Sequence, residues 1–311
     1  METFIRTVLG DIPGENLGVT YMHEHLIIDS EIVKNKFSHI YLPSVREASA
    51  EMAACKKIGV SSVVDCMPTG SGRSVAKLAQ ISKATNINVI AVTGLHHARY
   101  YRSDDPLQNM EAEELAQIFI SEIETGAEKT IHRTGAIKIV SSGKDYSARE
   151  RRLFTAAAIA HRKTGAPILT HCEHGTGAIE QLTLLQELKV PLNSVILSHT
   201  DKENDVGYHR EILSSGVYVE YDQSLRQVND DGAPSAKLTL AMMGEGFGKQ
   251  IMFGTDGARR SLWATLGGSP GLAWLYSGWS KKLVQMGLEE SVLEEIFIKN
   301  PRRALAFKIG Q

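Results

Sequence analysis

The feature that most constrains this chain is an alternation repeated eight times: a short apolar, β-branched run, then a longer segment with helical periodicity. The runs cover residues 18–28, 61–67, 88–94, 135–141, 167–172, 194–199, 217–221 and 250–255. Each has the length and residue types of one strand. The intervening pattern predicts helices over 45–58, 73–84, 111–124, 147–163, 176–189, 205–215 and 236–246. The segment at 147–163 carries the clearest signals. Ser147 and Glu150 form a capping box, Leu153, Ala156, Ala157 and Ala160 recur on one face, and Gly165 then Pro167 end it. Strand–helix repeats imply parallel strands joined by right-handed crossovers, and eight such strands are expected to close into a (β/α)8 TIM barrel. An open doubly wound sheet is the alternative, but no G-x-G-x-x-G follows a strand. With no linker or low-complexity tract, residues 1–311 read as a single barrel domain, with a helical tail at 267–308 packed around or under it.

Composition narrows the function. Of 311 residues 42% are hydrophobic, enough for a large core, and 34 basic against 36 acidic residues leave a net charge of −2. That balance argues against a nucleic-acid surface or a polybasic membrane patch. No apolar run approaches the roughly 18 residues of a spanning helix. The first ten residues mix Glu2, Thr3 and Arg6 with isolated apolar residues, so no signal segment is expected and the protein reads as cytoplasmic. Cys55, Cys66 and Cys172 have no CxxC spacing and read as reduced, buried thiols.

Polar residues gather at the ends of the apolar runs, which in a barrel form the active-site face. The first run contains His23-Glu24-His25, an i, i+2 pair whose imidazoles share a strand face. The fourth places Lys138 inside Ala136-Ile137-Lys138-Ile139-Val140, where a charge is expensive unless paired or removed. The fifth and sixth end in His171 and His199, and the eighth in Asp256. Each has a bland reading: a satisfied histidine pair, a snorkelling lysine, a hydrogen-bonded strand end, an Asx turn. Five strands presenting such groups at one level make independent accidents improbable. Four imidazoles, a carboxylate and a lysine suit zinc or a similar divalent ion.

In this order the residues resemble the phosphotriesterase family of the amidohydrolase superfamily, and the spacing Lys138–His171–His199–Asp256 resembles its phosphotriesterase-homology branch, over nearly the whole chain. The resemblance implies two divalent metals, zinc by preference. His23, His25 and Asp256 would hold the buried one and His171 and His199 the exposed one, with carboxylated Lys138 bridging them. It further implies a metal-bridging hydroxide as nucleophile, with Asp256 as the catalytic proton shuttle. The substrate expected is a small molecule, a lactone or other carboxylic ester, with phosphorylated sugar lactones among the candidates. Arg259 matches the arginine that relatives place three residues after the last aspartate for a phosphate, and Arg260 adjoins it.

The resemblance also has gaps. Leu262 stands where an aromatic is expected, with Trp263 beside it, and Arg226 and Lys237 are the candidates for a missing lysine. After the third run, His96 or Tyr100 stands in for a substrate-contacting tyrosine, while His97 and Tyr101 read as loop packing. His174 is a weaker candidate near the site; His39, His132, His161 and His209 read as exposed. The alternatives are a phosphoesterase or amide hydrolase of the same superfamily and, in another class, a non-catalytic metal-binding barrel. A homodimer is compatible with the cluster Trp263, Trp274, Tyr276 and Trp279, although such clusters are more often core.

Overall fold

The computed structural model describes residues 3–308; Met1, Glu2 and residues 309–311 of the single domain read above lie outside the described residues. Eight parallel strands form one sheet, in sequence order: β3 (Val19–Glu24), β4 (Val60–Asp65), β5 (Asn88–Gly94), β6 (Ala136–Ser141), β7 (Ile168–Cys172), β8 (Val195–Ser198), β9 (Tyr218–Tyr221) and β10 (Ile251–Phe253). Seven fall within the predicted runs, and β4 starts one residue ahead of its run. The ends of the sheet are joined by the N–H groups of Thr255 and Asp256, which donate to the His23 carbonyl at 3.1 and 3.0 Å. Gly254 permits this approach, because a Cβ there would lie 2.6 Å from His23 Cβ. The result is a (β/α)8 barrel.

All seven predicted helices form, the longest from Ala148 to Thr164. Its capping box, Ser147 with Glu150, is made in both directions, and Gly165 ends it in the left-handed conformation at φ 73°.

An antiparallel hairpin of β1 (Phe4–Thr7) and β2 (Gly10–Pro13) was not legible as strands. Its four-residue strands lack a clear alternation. Ile5, Leu17 and Leu305 join Met22, Val64, Val92, Leu169 and Met252 in one interior cluster. The hairpin end and the C-terminal helix Asn300–Leu305 thus floor the barrel. The rest of the tail packs outside: Phe297 stacks on Phe253 at 5.6 Å, and Trp263 and Trp279 are fully buried. Trp274 and Tyr276 are half-buried and pack against this core.

Two histidines correct the sequence reading. His161 and His209 are buried, bonded to the Ala166 carbonyl and to the Thr200 and Glu203 carbonyls. Periodicity identified their helices but not which face they occupy. His39 is exposed and His132 half-buried. The three cysteines are free and buried. Among the described residues no helix is long and apolar enough to cross a membrane.

Candidate active site

The local geometry of β3 decides where the first two histidines point. Tyr21 pairs with Val63 of β4 and Glu24 with Asp65, so β3 spends one extra residue across this interval. That is a β-bulge, and it reverses the in–out alternation. Met22 faces the interior cluster, yet His23 and His25 face the cavity above it. Glu24 points away and accepts hydrogen bonds from the Thr255 N–H and hydroxyl, holding the end of β10 against β3.

The cavity lies at the C-terminal ends of the strands and measures about 380 Å³. His23, His25, Lys138, His171, His199 and Asp256 all line it, as do His96, Tyr100 and Arg259. The rings of His23 and His199 are 4.6 Å apart, and those of His171 and His199 4.4 Å. His199 and Asp256 both have positive φ, 66° and 43°. Left-handed backbone at non-glycine residues costs on the order of 1–3 kcal/mol and tends to collect at functional sites.

Carboxylates stand behind several imidazoles. Glu220 accepts from His23 Nδ1, and Asp222 Oδ2 lies 2.6 Å from His199 Nδ1 without the alignment of a hydrogen bond. Glu173 Oε2 accepts from His171 Nε2 at 2.6 Å and His97 Nε2 at 3.0 Å, and Oε1 from Arg99 at 3.3 Å. His25 Nδ1 is buried with no partner, and its Nε2 lies 3.6 Å from Asp256 Oδ1. Burial depresses the basicity of the ring nitrogens. It is the largest cause at His23, His96 and His199, all held well below the usual imidazole value, and at His171, lowered to about 3. The rings are therefore neutral at pH 7, the state in which imidazole binds a metal.

Lys138 is 1% exposed, and its ammonium donates to Ser198 Oγ at 3.0 Å. Among the described residues no carboxylate lies within 4.0 Å of it. Gly94, at φ 101° on β5, makes room for this strand: a Cβ there would lie 1.8 Å from the Lys138 carbonyl oxygen. Asp256 is handled oppositely. Burial alone would raise its carboxyl, but the Arg226 guanidinium and the neighbouring His25 imidazole outweigh that and hold it well below the carboxylate range. Arg226 donates to Asp256 Oδ2 at 3.0 Å and to the carbonyls of Thr255 and Asp256.

These residues suit divalent ions. Three groups of ligand atoms lie within 4.8 Å of one another: His23, His25 and Asp256; His23, His199 and Asp222; and His97, His171 and Glu173. The buried His25 Nδ1, which has no hydrogen-bond partner, is a further nitrogen donor facing this cluster.

The other expected contacts divide. His96 is buried, its Nδ1 accepting from the His97 N–H, and Tyr100 packs edge-on against it at 4.6 Å. Arg259 is exposed at the mouth. Arg260 instead donates to the Tyr41 carbonyl at 2.9 Å and does not line the cavity. Of the two lysine substitutes, Arg226 lines the cavity and Lys237 does not. Trp263 is buried with its indole N–H on the Gly257 carbonyl, and His174 lies outside the lining.

Sequence reasoning missed Glu220, Asp222, Glu173 and Glu24. Glu220 sits in the apolar stretch Val219-Glu220-Tyr221, the same signal that singled out Lys138. Glu173 is a loop residue with no comparable mark.

The phosphotriesterase family model matches residues 3–305. The chain belongs to the phosphotriesterase family. It is 28% identical over 308 residues to an aryldialkylphosphatase of Saccharolobus solfataricus, covering 94% of this chain and 96% of that protein. It is 30% identical to a phospho-furanose lactonase of Mycoplasmopsis synoviae, covering 98% and 92%. A solved lactonase from Listeria monocytogenes superposes with a TM-score of 0.93 at 27% identity, covering 98% of this chain and 99% of that one. All three carry the names of ester-hydrolysing enzymes.

Proposed function

We propose that this chain is a metal-dependent hydrolase acting on carboxylic esters, with lactones as the preferred class, and that residues 1–311 work as one catalytic unit. The observation that carries the reading is the convergence of four imidazoles, one carboxylate and a buried lysine with no carboxylate within 4.0 Å on one cavity. His23, His25 and Asp256 would hold one ion and His171 and His199 the other, with Lys138 carboxylated between them. Carboxylation replaces a buried ammonium, whose desolvation costs several kcal/mol, with an anion that suits two cations. When bound, the ions polarise the ester carbonyl and lower the pKa of the attacking water.

The protein residues do the rest. Asp256 Oδ1, the oxygen not bonded to Arg226, takes a proton from that water and passes it to the leaving oxygen. Arg226 fixes the carboxylate's orientation. His96, with Nδ1 already occupied, presents Nε2 to the substrate, and Tyr100 backs it.

Charge at the mouth favours an anionic substituent on the substrate. Arg99 is paired with Glu173 and Arg226 with Asp256, whereas the exposed Lys202 and Arg259 have no ion-pair partner among the described residues. A phosphorylated lactone matches this arrangement and the phospho-furanose lactonase relative. The test is a hydrolysis screen of lactones, with and without a phosphate, against phosphotriesters and amides. Lactone turnover is expected to dominate; amide or phosphotriester turnover with no lactone turnover would overturn the choice.

A further inference from the structure

We infer that Glu173 is a positioning residue that ties retention of the outer metal to the loop carrying the substrate contacts. The inference rests on the metal reading above and goes beyond it, because Glu173 belongs to none of the six ligand positions.

The geometry is specific. One carboxylate receives three donors from two different loops. His171 donates from the end of β7, and His97 and Arg99 donate from the loop that follows β5. Both imidazole N–H groups reach the same oxygen, Oε2. With its Nε2 spent on Glu173, His171 has only Nδ1 left for a metal, so the carboxylate sets both its tautomer and its ring orientation. The same side chain holds residues 97–99, and these flank His96 and Tyr100.

Glu173 also differs from the carboxylates that serve the other histidines. Glu220 and Asp222 come from one rigid strand and its end, and their side chains are 0% exposed. The Glu173 side chain is 20% exposed, stands in the cavity wall and opens the short 3-10 turn Glu173–Gly175 directly after β7. Its partner His97, read from sequence as loop packing, is the link between the two loops. Loss of such a carboxylate behind a ligating histidine typically costs about 10–100-fold in metal affinity.

The test measures metal content directly. Wild type, E173A, the near-isosteric E173Q and H97Q are equilibrated with zinc against a graded chelator, and ions per chain are counted. E173A is expected to keep one ion under conditions where wild type keeps two, with E173Q between them. H97Q is expected to keep both ions, with KM raised and kcat held, because it frees the loop and leaves His171 paired. With cobalt(II) in place of zinc, the visible band of one ion alone should change in E173Q. Two results overturn the inference: E173A retaining both ions at wild-type affinity, or losing both together. Wild type that takes up no ion sinks the metal reading itself, and is thereby distinguished from failure of the Glu173 proposal.

Discussion

The two walls of the cavity are built differently. The inner wall, from β3, β9 and β10, is sealed: His23 backed by Glu220, and Glu24 pinning Thr255, all lie at or near zero exposure. The outer wall, from β7 and the loop after β5, is partly open, with His171, Glu173 and His97 between 8% and 20% exposed in their side chains. The sealed side is held by strands and cannot adapt. The open side is held by side chains bridging loops, so it can yield to a substrate. A hydrolase needs both, because catalytic groups must be fixed while specificity resides in loops.

Breaking the inner wall should give the largest effects. D256N is expected to lower kcat/KM by about 10²–10⁴-fold, read by steady-state kinetics beside metal analysis, with the ions retained. E220Q should weaken one ion by about 10–100-fold in chelator competition. G94A forces a side chain onto the Lys138 carbonyl at a positive φ. It should cost at least about 1–3 kcal/mol in denaturant unfolding. A G94A protein of wild-type stability would mean that the β5–β6 contact is looser than described.

The outer wall should respond more mildly and selectively. R259Q is expected to raise KM for a phosphorylated lactone and leave that of the unphosphorylated one unchanged, as loss of a binding contact does. The smallest effect concerns His209, a supporting residue behind the inner wall. Burial lowers its folded pKa, so the unfolded chain binds more protons just below the usual imidazole value of 6.5. Stability from this group is complete above that pH and is lost as pH falls through it toward the folded value. H209Q should flatten that part of the stability–pH curve, measured by urea unfolding.

The same contrast explains what the sequence made legible. The strands and the polar groups on them are legible because a charged or imidazole side chain inside or at the end of an apolar run is costly and therefore informative: His23, Lys138, His171, His199 and Asp256 stand out on that ground, and all five line the cavity. The bulge at Tyr21–Glu24 was not, because it exists only as a count of residues against the neighbouring strand. Glu220 could have been found by the argument applied to Lys138. Glu173 could not, since an acidic loop residue is ordinary until His171, His97 and Arg99 are seen around it. The resemblance singles out Arg259 and keeps Arg260 beside it as a second candidate. Only backbone direction sends one to the mouth and the other to the Tyr41 carbonyl.

The most direct measurement is anomalous diffraction at the zinc edge from crystals grown with zinc and bicarbonate. The account predicts two peaks, one contacted by His23, His25 and Asp256 and the other by His171 and His199, with extra density on Lys138 Nζ joining them. A bare Lys138 amine, with no peak in the cavity despite saturating zinc, would contradict it.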